Sequence, residues 1–312
     1  MRSIKQQFNY CINKSSKIGQ SKHSAKRSGT YKNGDLYSYK TIDAYKGTAQ
    51  NLSNWLKENH PEIKEVREIT ADHIQEWVND RSENWTQKTL ENHLVHIKYL
   101  EEQAQRAYRK DNINFYKADF ERPTTKESLR DKAMSDKDFL RLRESFEGSR
   151  SFAKDAIEIT YRSGLRVNEV AHLKREDIDL QKKTIYVSRE GAKNGRARVV
   201  PIQDKDLKYY KELLDRSPQN GYLTNITGDS INKAIRRAMN ATRDDRGVSL
   251  GDKYKQTEHA IRKLYATNRM REERGIEPLK DRKEEMKCWD KVSKELGHGE
   301  GRINLYRVYC KG

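Results

Sequence analysis

The stretch TIYVSREGAKNGRARVVP, residues 184–201, is the clearest β signal in the 312-residue chain. Thr184-Ile185-Tyr186-Val187 and Arg198-Val199-Val200-Pro201 are short segments dominated by β-branched and aromatic residues. They flank Asn194-Gly195, the preferred two-residue hairpin turn. Lys193 falls beside that turn, at the tip, where a lone lysine is ordinarily a solvated side chain. Outward from this hairpin the patterning is helical in both directions. The expected fold is therefore mainly α with a small antiparallel β-sheet, an α+β class.

Upstream, Ile42, Tyr45, Ala49, Leu52 and Trp55 recur at three- and four-residue spacings and predict one helix. Thr70 reads as the N-cap of a second, carrying Ile74, Trp77 and Val78. Leu90, Leu94, Ile97 and Leu100 predict a third, with Lys88, His93, His96 and Lys98 on its other faces. Residues 36–118 form a helical domain on this reading. Pro123 breaks the pattern, and a linker is placed over residues 119–128, with Thr124 and Thr125 inside it. The second domain, residues 129–312, opens with a capping-type start at Ser135 ahead of Phe139, Leu142 and Phe146.

Lys and Arg total 64 against 47 Asp and Glu, an excess of 17 positive charges that predicts a polyanionic partner, most simply nucleic acid. Residues 1–35 concentrate this, with Lys22, Lys26 and Arg27 among eight basic residues before the first acid. They read as a solvated basic arm able to track phosphates, with Lys88 and Lys98 as further DNA contacts. Cys11, Cys288 and Cys310 are too few and scattered for a disulfide framework or a thiolate zinc site. No apolar run approaches the roughly 18 residues of a membrane span, and the basic N-terminus lacks a secretory core. The expected setting is cytoplasmic, with no membrane role and no cofactor. No carboxylate cluster has metal-ligand spacing.

Four short segments carry chemistry-bearing residues. Ser163-Gly164-Leu165-Arg166-Val167-Asn168-Glu169 puts an arginine after a helix break and an acid three residues on. Taken alone it reads as a surface ion pair of little worth. His259-Ala260-Ile261-Arg262 places an imidazole and a guanidinium on one helix face, a proton exchanger beside a forked phosphate grip. Leu296-Gly297-His298 follows, and Tyr306 and Tyr309 lie one turn apart near the C-terminus.

In chain order these segments resemble the tyrosine recombinases, the family of phage-type integrases and Xer-like enzymes. The family's first arginine box is similar to Ser163–Glu169. Its hairpin lysine lies eight residues before a Val-Pro proline, as Lys193 does before Pro201. Its His-x-x-Arg box is matched by His259 and Arg262, and its Leu-Gly-His box by Leu296–His298. The helical residues 36–110 are similar to the family's core-type DNA-binding domain. The resemblance implies a site-specific DNA recombinase of a phage or other mobile element, acting through a covalent 3′-phosphotyrosine without ATP or metal. It implies Arg166, Arg262 and His298 on the phosphate, Lys193 protonating the leaving 5′ oxygen, His259 assisting at the tyrosine, and Glu169 in support. It also implies double-stranded attachment sites, a tetramer on DNA, and an accessory DNA-bending or directionality factor. A type IB topoisomerase-like enzyme shares the chemistry without strand exchange. A non-catalytic basic DNA-binding regulator shares the charge alone.

Three departures from the family pattern stand out. Lys263 takes the place of a second histidine, outside the catalytic set. Residues 270–294 are long and charge-rich, and read as a solvated insertion. Tyr306 lies eight residues beyond His298 and Tyr309 eleven, whereas relatives commonly space theirs by nine. Tyr309 is preferred as nucleophile, with Gly299-Glu300-Gly301 absorbing a two-residue insertion. Tyr306 is the alternative.

Overall fold

A computed structural model describes residues 2–109, 112–123, 132–148, 151–217, 219, 221–255, 258–275 and 282–310. The chain divides into two compact units, Met1–Ser128 and Leu129–Gly312.

The first unit contains α1 (Ile4–Lys14), α2 (Lys22–Arg27), α3 (Tyr39–Asn59), α4 (Ala71–Ser82) and α5 (Gln87–Tyr108). The apolar stripes expected of α3, α4 and α5 meet in one core containing Leu52, Leu56, Ile74, Trp77, Leu94 and Ile97. Thr70 caps α4 in a full capping box with His73. The basic arm departs from expectation. Residues 4–14 are a helix, capped by Ser3, that buries Ile4, Phe8, Cys11 and Ile12. Phe8 meets Phe115 edge-on at 6.1 Å. The solvated-tail reading is thus corrected here: four apolar residues at helical spacing suffice to dock a segment whose other face carries the charge. The expected linker is likewise shorter. Phe120 is buried, and the Glu121 N–H donates to Gln75 Oε1 at 2.9 Å. Its remainder, residues 124–128, lies outside the described residues.

The second unit runs α6 (Asp136–Glu144), α7 (Phe152–Ser163), α8 (Val167–Ala171), β1 (Ile178–Asp179), β2 (Thr184–Val187), β3 (Arg198–Pro201), α9 (Leu207–Arg216), α10 (Gly228–Ala241), α11 (Leu250–Tyr254), α12 (Glu258–Arg274), α13 (Arg282–Glu295) and α14 (Ile303–Cys310). The sheet is antiparallel in the order β1-β2-β3, with Val187 opposite Arg198 and Thr184 opposite Pro201. Both hairpin strands stand where the sequence predicts them, but the turn does not. Residues 188–197 all lie in the connection, and Lys193–Gly195 form a 3-10 turn within it. Asn-Gly shapes that longer loop locally, with Gly195 at φ 66°, and does not close a two-residue hairpin.

Helix α12 is apolar on more than one side and lies at the centre of this unit. Ala260, Ile261 and Leu264 enter the large core built by α6 to α11 and the sheet. Tyr265, Ala266 and Met270 join a second cluster with Trp289, Val292 and Leu296 of the α13 segment and Tyr306 and Tyr309 of α14. Residues 270–294 are therefore not a solvated insertion, apart from residues 276–281, which lie outside the described set. Their charges face outward or pair, as Glu273 does with Arg269 and Lys291, while Trp289 is fully buried. Its Nε1–H donates to the Arg302 carbonyl at 3.0 Å, and its ring lies 5.6 Å from Tyr306 and 6.1 Å from Tyr309. Trp289→Ala is expected to lower stability by about 3–5 kcal/mol, read from urea unfolding of the full chain. A loss under about 1 kcal/mol would contradict this packing role.

Candidate active site

The site begins where α7 ends. Gly164 caps that helix at φ 61°, and a Cβ there would fall inside the Tyr265 ring. Only glycine satisfies both conditions. The reversal sets Arg166 at the N-cap of α8. Its backbone N–H donates to Glu169 Oε2 at 2.8 Å and its Nη1 to Oε1 at 2.9 Å. The Glu169 side chain is wholly buried, so the surface ion-pair reading of this segment is corrected. A second arginine, Arg198 of β3, grips the same carboxylate with both Nη atoms at 2.7 Å. Arg262 Nη1 stands 4.0 Å from it. Burial opposes ionisation of Glu169, but the Arg198 hydrogen bonds and charge and the Arg166 N–H outweigh it. The carboxyl is held down at about 2.

Arg262, on α12, is completely buried. Its Nη1 donates to the Gly164 carbonyl and its Nη2 to the Leu296 carbonyl. Its Nη2 also lies 3.4 Å from His298 Nε2, and its Nε 3.4 Å from the Tyr309 hydroxyl. One guanidinium thus joins the first arginine box, the Leu-Gly-His box and the terminal helix. Tyr309 completes the ring, its hydroxyl 3.2 Å from His298 Nε2. The exposed His259 ring lies edge-on to it at 5.5 Å. Burial, then the charges of Arg262 and Arg166, push the His298 imidazole down to about 3. His298 is accordingly neutral near pH 7. An anion placed among these cations would restore its proton affinity.

Tyr306 is held elsewhere. Its hydroxyl donates to Glu285 Oε1 at 2.5 Å and accepts from Arg274 Nη2 at 3.3 Å. Burial, then Glu285, push the phenol up to about 12. Lys193 is exposed. Its loop is tied to α8, since Asn168 Nδ2 donates to the Gly191 carbonyl at 2.8 Å. Lys263 is fully buried one residue beyond Arg262. Glu258 is buried too, and burial pushes its carboxyl up to about 7, Arg262 pulling the other way.

In the first unit, Lys88 pairs with Glu91 at 3.2 Å, and Lys98 lies 5.7 Å over the Tyr116 ring. Lys22 and Lys26 approach Tyr31 at 5.5 and 5.2 Å, and Arg27 is exposed. Arg198 and Glu258 went unnoticed in the sequence. Arg198 occupies one position of an alternating strand, and its partner Glu169 is 29 residues away. Nothing local marks it.

Comparison to known proteins gives the family. The sequence model of the phage integrase family matches residues 132–281, and that of the phage integrase N-terminal SAM-like domain matches residues 32–109. The chain belongs to the phage integrase family, the tyrosine recombinases. A probable integrase/recombinase of Acholeplasma phage L2 is 37% identical over 70 residues, 22% of this chain and 24% of that protein. The match thus spans about a quarter of that relative's length. The Tn1549 transposon integrase in complex with transposon right-end DNA superposes with a TM-score of 0.60 at 15% identity, covering 99% of this chain and 94% of the other. The lambda integrase tetramer bound to a Holliday junction superposes with a TM-score of 0.57 at 18% identity, covering 86% and 72%. At these identities the two superpositions show a shared fold. Among the described residues, no helix is long and apolar enough to cross a membrane.

Proposed function

We propose that this protein is a site-specific DNA recombinase of a phage or other mobile element, cutting and rejoining DNA through a phosphotyrosine intermediate. The observation that carries the reading is the Tyr309 hydroxyl, held within hydrogen-bonding reach of His298 and Arg262. A phosphodiester resists attack because it is already anionic, and its nonbridging oxygens gain charge in the pentavalent transition state. Arg166, Arg262 and His298 supply donors and positive charge where that charge grows. The Tyr309 oxygen bonds to phosphorus while the bond to the 5′ oxygen breaks. His259 assists removal of the phenolic proton, and Lys193 delivers a proton to the departing 5′ oxygen. Reversal of these steps by a 5′ hydroxyl of another strand rejoins the DNA. The bond energy is kept in the phosphotyrosine throughout.

Tyr306 is the weaker candidate. Its hydroxyl is engaged by Glu285 and Arg274, and its phenol resists ionisation. Lys88, Lys98, Lys22, Lys26 and Arg27 are proposed to contact DNA, their charge acting on the phosphate backbone. Double-stranded attachment sites, a tetramer on DNA and an accessory bending or directionality factor complete the proposal. The lambda integrase tetramer on a Holliday junction supports the assembly by analogy of fold.

The test is a suicide duplex nicked near the cleavage position. It should trap a covalent protein–DNA adduct resistant to denaturation, and paired sites should give recombinant product. Supercoil relaxation with no recombinant would move the assignment to a type IB topoisomerase-like enzyme. Salt-sensitive binding without an adduct would leave a DNA-binding regulator.

A further inference from the structure

Arg198 is not among the residues the family resemblance selects, yet its guanidinium is held by three acceptors beside the site. Both Nη atoms reach the two oxygens of Glu169 at 2.7 Å. Its Nε donates to the Glu295 carbonyl at 2.8 Å, one residue before the Leu-Gly-His box. The side chain is only 10% exposed. The plane of the guanidinium also fills the space over Gly297. A Cβ there would lie 3.0–3.1 Å from its Nη1, Cζ and Nε, and Gly297 adopts φ 71° besides. The middle glycine of the box is favoured by its positive φ, and the close approach of Arg198 tightens the space further. At its other end, Arg198 opens β3 directly after the loop that carries Lys193. That loop is already tied to α8 through Asn168.

Arg198 thus joins three structures that must agree in position: its planar fork meets the Arg166–Glu169 turn and the turn presenting His298, and its backbone follows the Lys193 loop. Lysine offers one point charge and could not span the three acceptors in a plane. We propose that Arg198 is a positioning residue for DNA cleavage, setting Arg166, Lys193 and His298 in one frame around the scissile phosphate without touching it. The inference rests on the recombinase reading above and adds a residue to it.

The charged groups facing Glu169 are Arg166 at the start of α8, Arg198 of β3, and Arg262 and Glu258 of α12. Arg198 gives the strongest of the pulls that keep Glu169 ionised. Without it, burial raises the carboxyl against only the weaker pulls of the Arg166 N–H and Arg262. On acidification Glu169 then protonates and releases Arg166. Cleavage by the variant should fall as pH drops from 7 towards 5, where the unmodified protein keeps its Glu169 charged.

The experiment measures single-turnover adduct formation on the nicked duplex from pH 5 to 8, for the full chain and for Arg198→Ala and Arg198→Lys. DNA affinity and thermal unfolding are measured alongside. Arg198→Ala is expected to cleave about a hundredfold more slowly, as misplacement of about 1 Å does. Its DNA affinity should be unchanged and its acid-side loss steeper. Arg198→Lys should keep the charge and recover less than a tenth of the rate. Cleavage by Arg198→Ala at the unmodified rate and pH profile overturns the inference. So does a loss that follows DNA affinity alone. If Arg198→Ala does not fold, Arg198→Lys decides, and an unmodified rate and profile there is equally fatal. No adduct from the unmodified protein overturns the recombinase reading and this inference with it.

Discussion

Tyr309→Phe is expected to abolish covalent attachment to a nicked duplex, lowering adduct formation by about 10⁴-fold or more, as loss of a nucleophile does elsewhere. The change removes one oxygen and leaves the ring that packs on Trp289 and His298. The hydroxyl's contacts with His298 and Arg262 are lost, so stability should fall by about 1 kcal/mol while DNA affinity holds. Tyr306→Phe is the matched control. It breaks the bonds to Glu285 and Arg274 and should cost about 1 kcal/mol of stability while adduct formation continues. Mass spectrometry of a protease-digested adduct would place the phosphodeoxynucleotide on the peptide carrying Tyr309. Adduct from Tyr309→Phe, with none from Tyr306→Phe, would reverse the assignment. Tyr306 would then need helix α14 to leave its present seat.

Arg262 should show the second large effect, because it serves structure and chemistry through the same atoms. Its Nη atoms satisfy the Gly164 and Leu296 carbonyls, and its Nε faces the Tyr309 hydroxyl. Arg262→Ala leaves two carbonyls without that donor and Glu169 without a neighbouring charge. The expected stability loss is about 3–5 kcal/mol, in the range for breaking buried charged networks. Adduct formation should fall by about 10³-fold, as when a transition-state donor is lost. Arg262→Lys retains a charge but has no fork for both carbonyls. It should regain part of the stability and little of the cleavage. Denaturant unfolding and single-turnover cleavage, measured on the same preparation, separate the two contributions. Cleavage by Arg262→Lys near the unmodified rate would show that charge alone suffices and that the fork is structural.

The contrast between α13 and α8 shows what could be read locally. The charged run through residues 282–295 hides an apolar face of Trp289 and Val292. Charge density there masked helical spacing, so an element of the core passed for a solvated insertion. The Ser163–Glu169 segment erred the other way. An arginine and a glutamate three residues apart look like a surface pair because sequence carries no burial. In the fold, Arg198 and Arg262 arrive from distant positions and make Glu169 the centre of a buried cluster. The Asn194-Gly195 turn failed for a related reason. Dipeptide preference is a local free energy, whereas the length of the connection depends on where β2 and β3 pair.

By itself the sequence determined the mainly helical class, the two hairpin strands, the helical stripes of the first unit and the order of residues that resembles a tyrosine recombinase. These are periodic or linear properties, set by side-chain spacing along one element. Only the tertiary structure decided that residues 4–14 dock as a helix, that Arg198 grips Glu169, and that Tyr309 rather than Tyr306 faces His298 and Arg262. Two tyrosines one turn apart share a helix face and cannot be told apart by spacing. They are separated by what packs against them: Glu285 and Arg274 at one, His298 and Arg262 at the other.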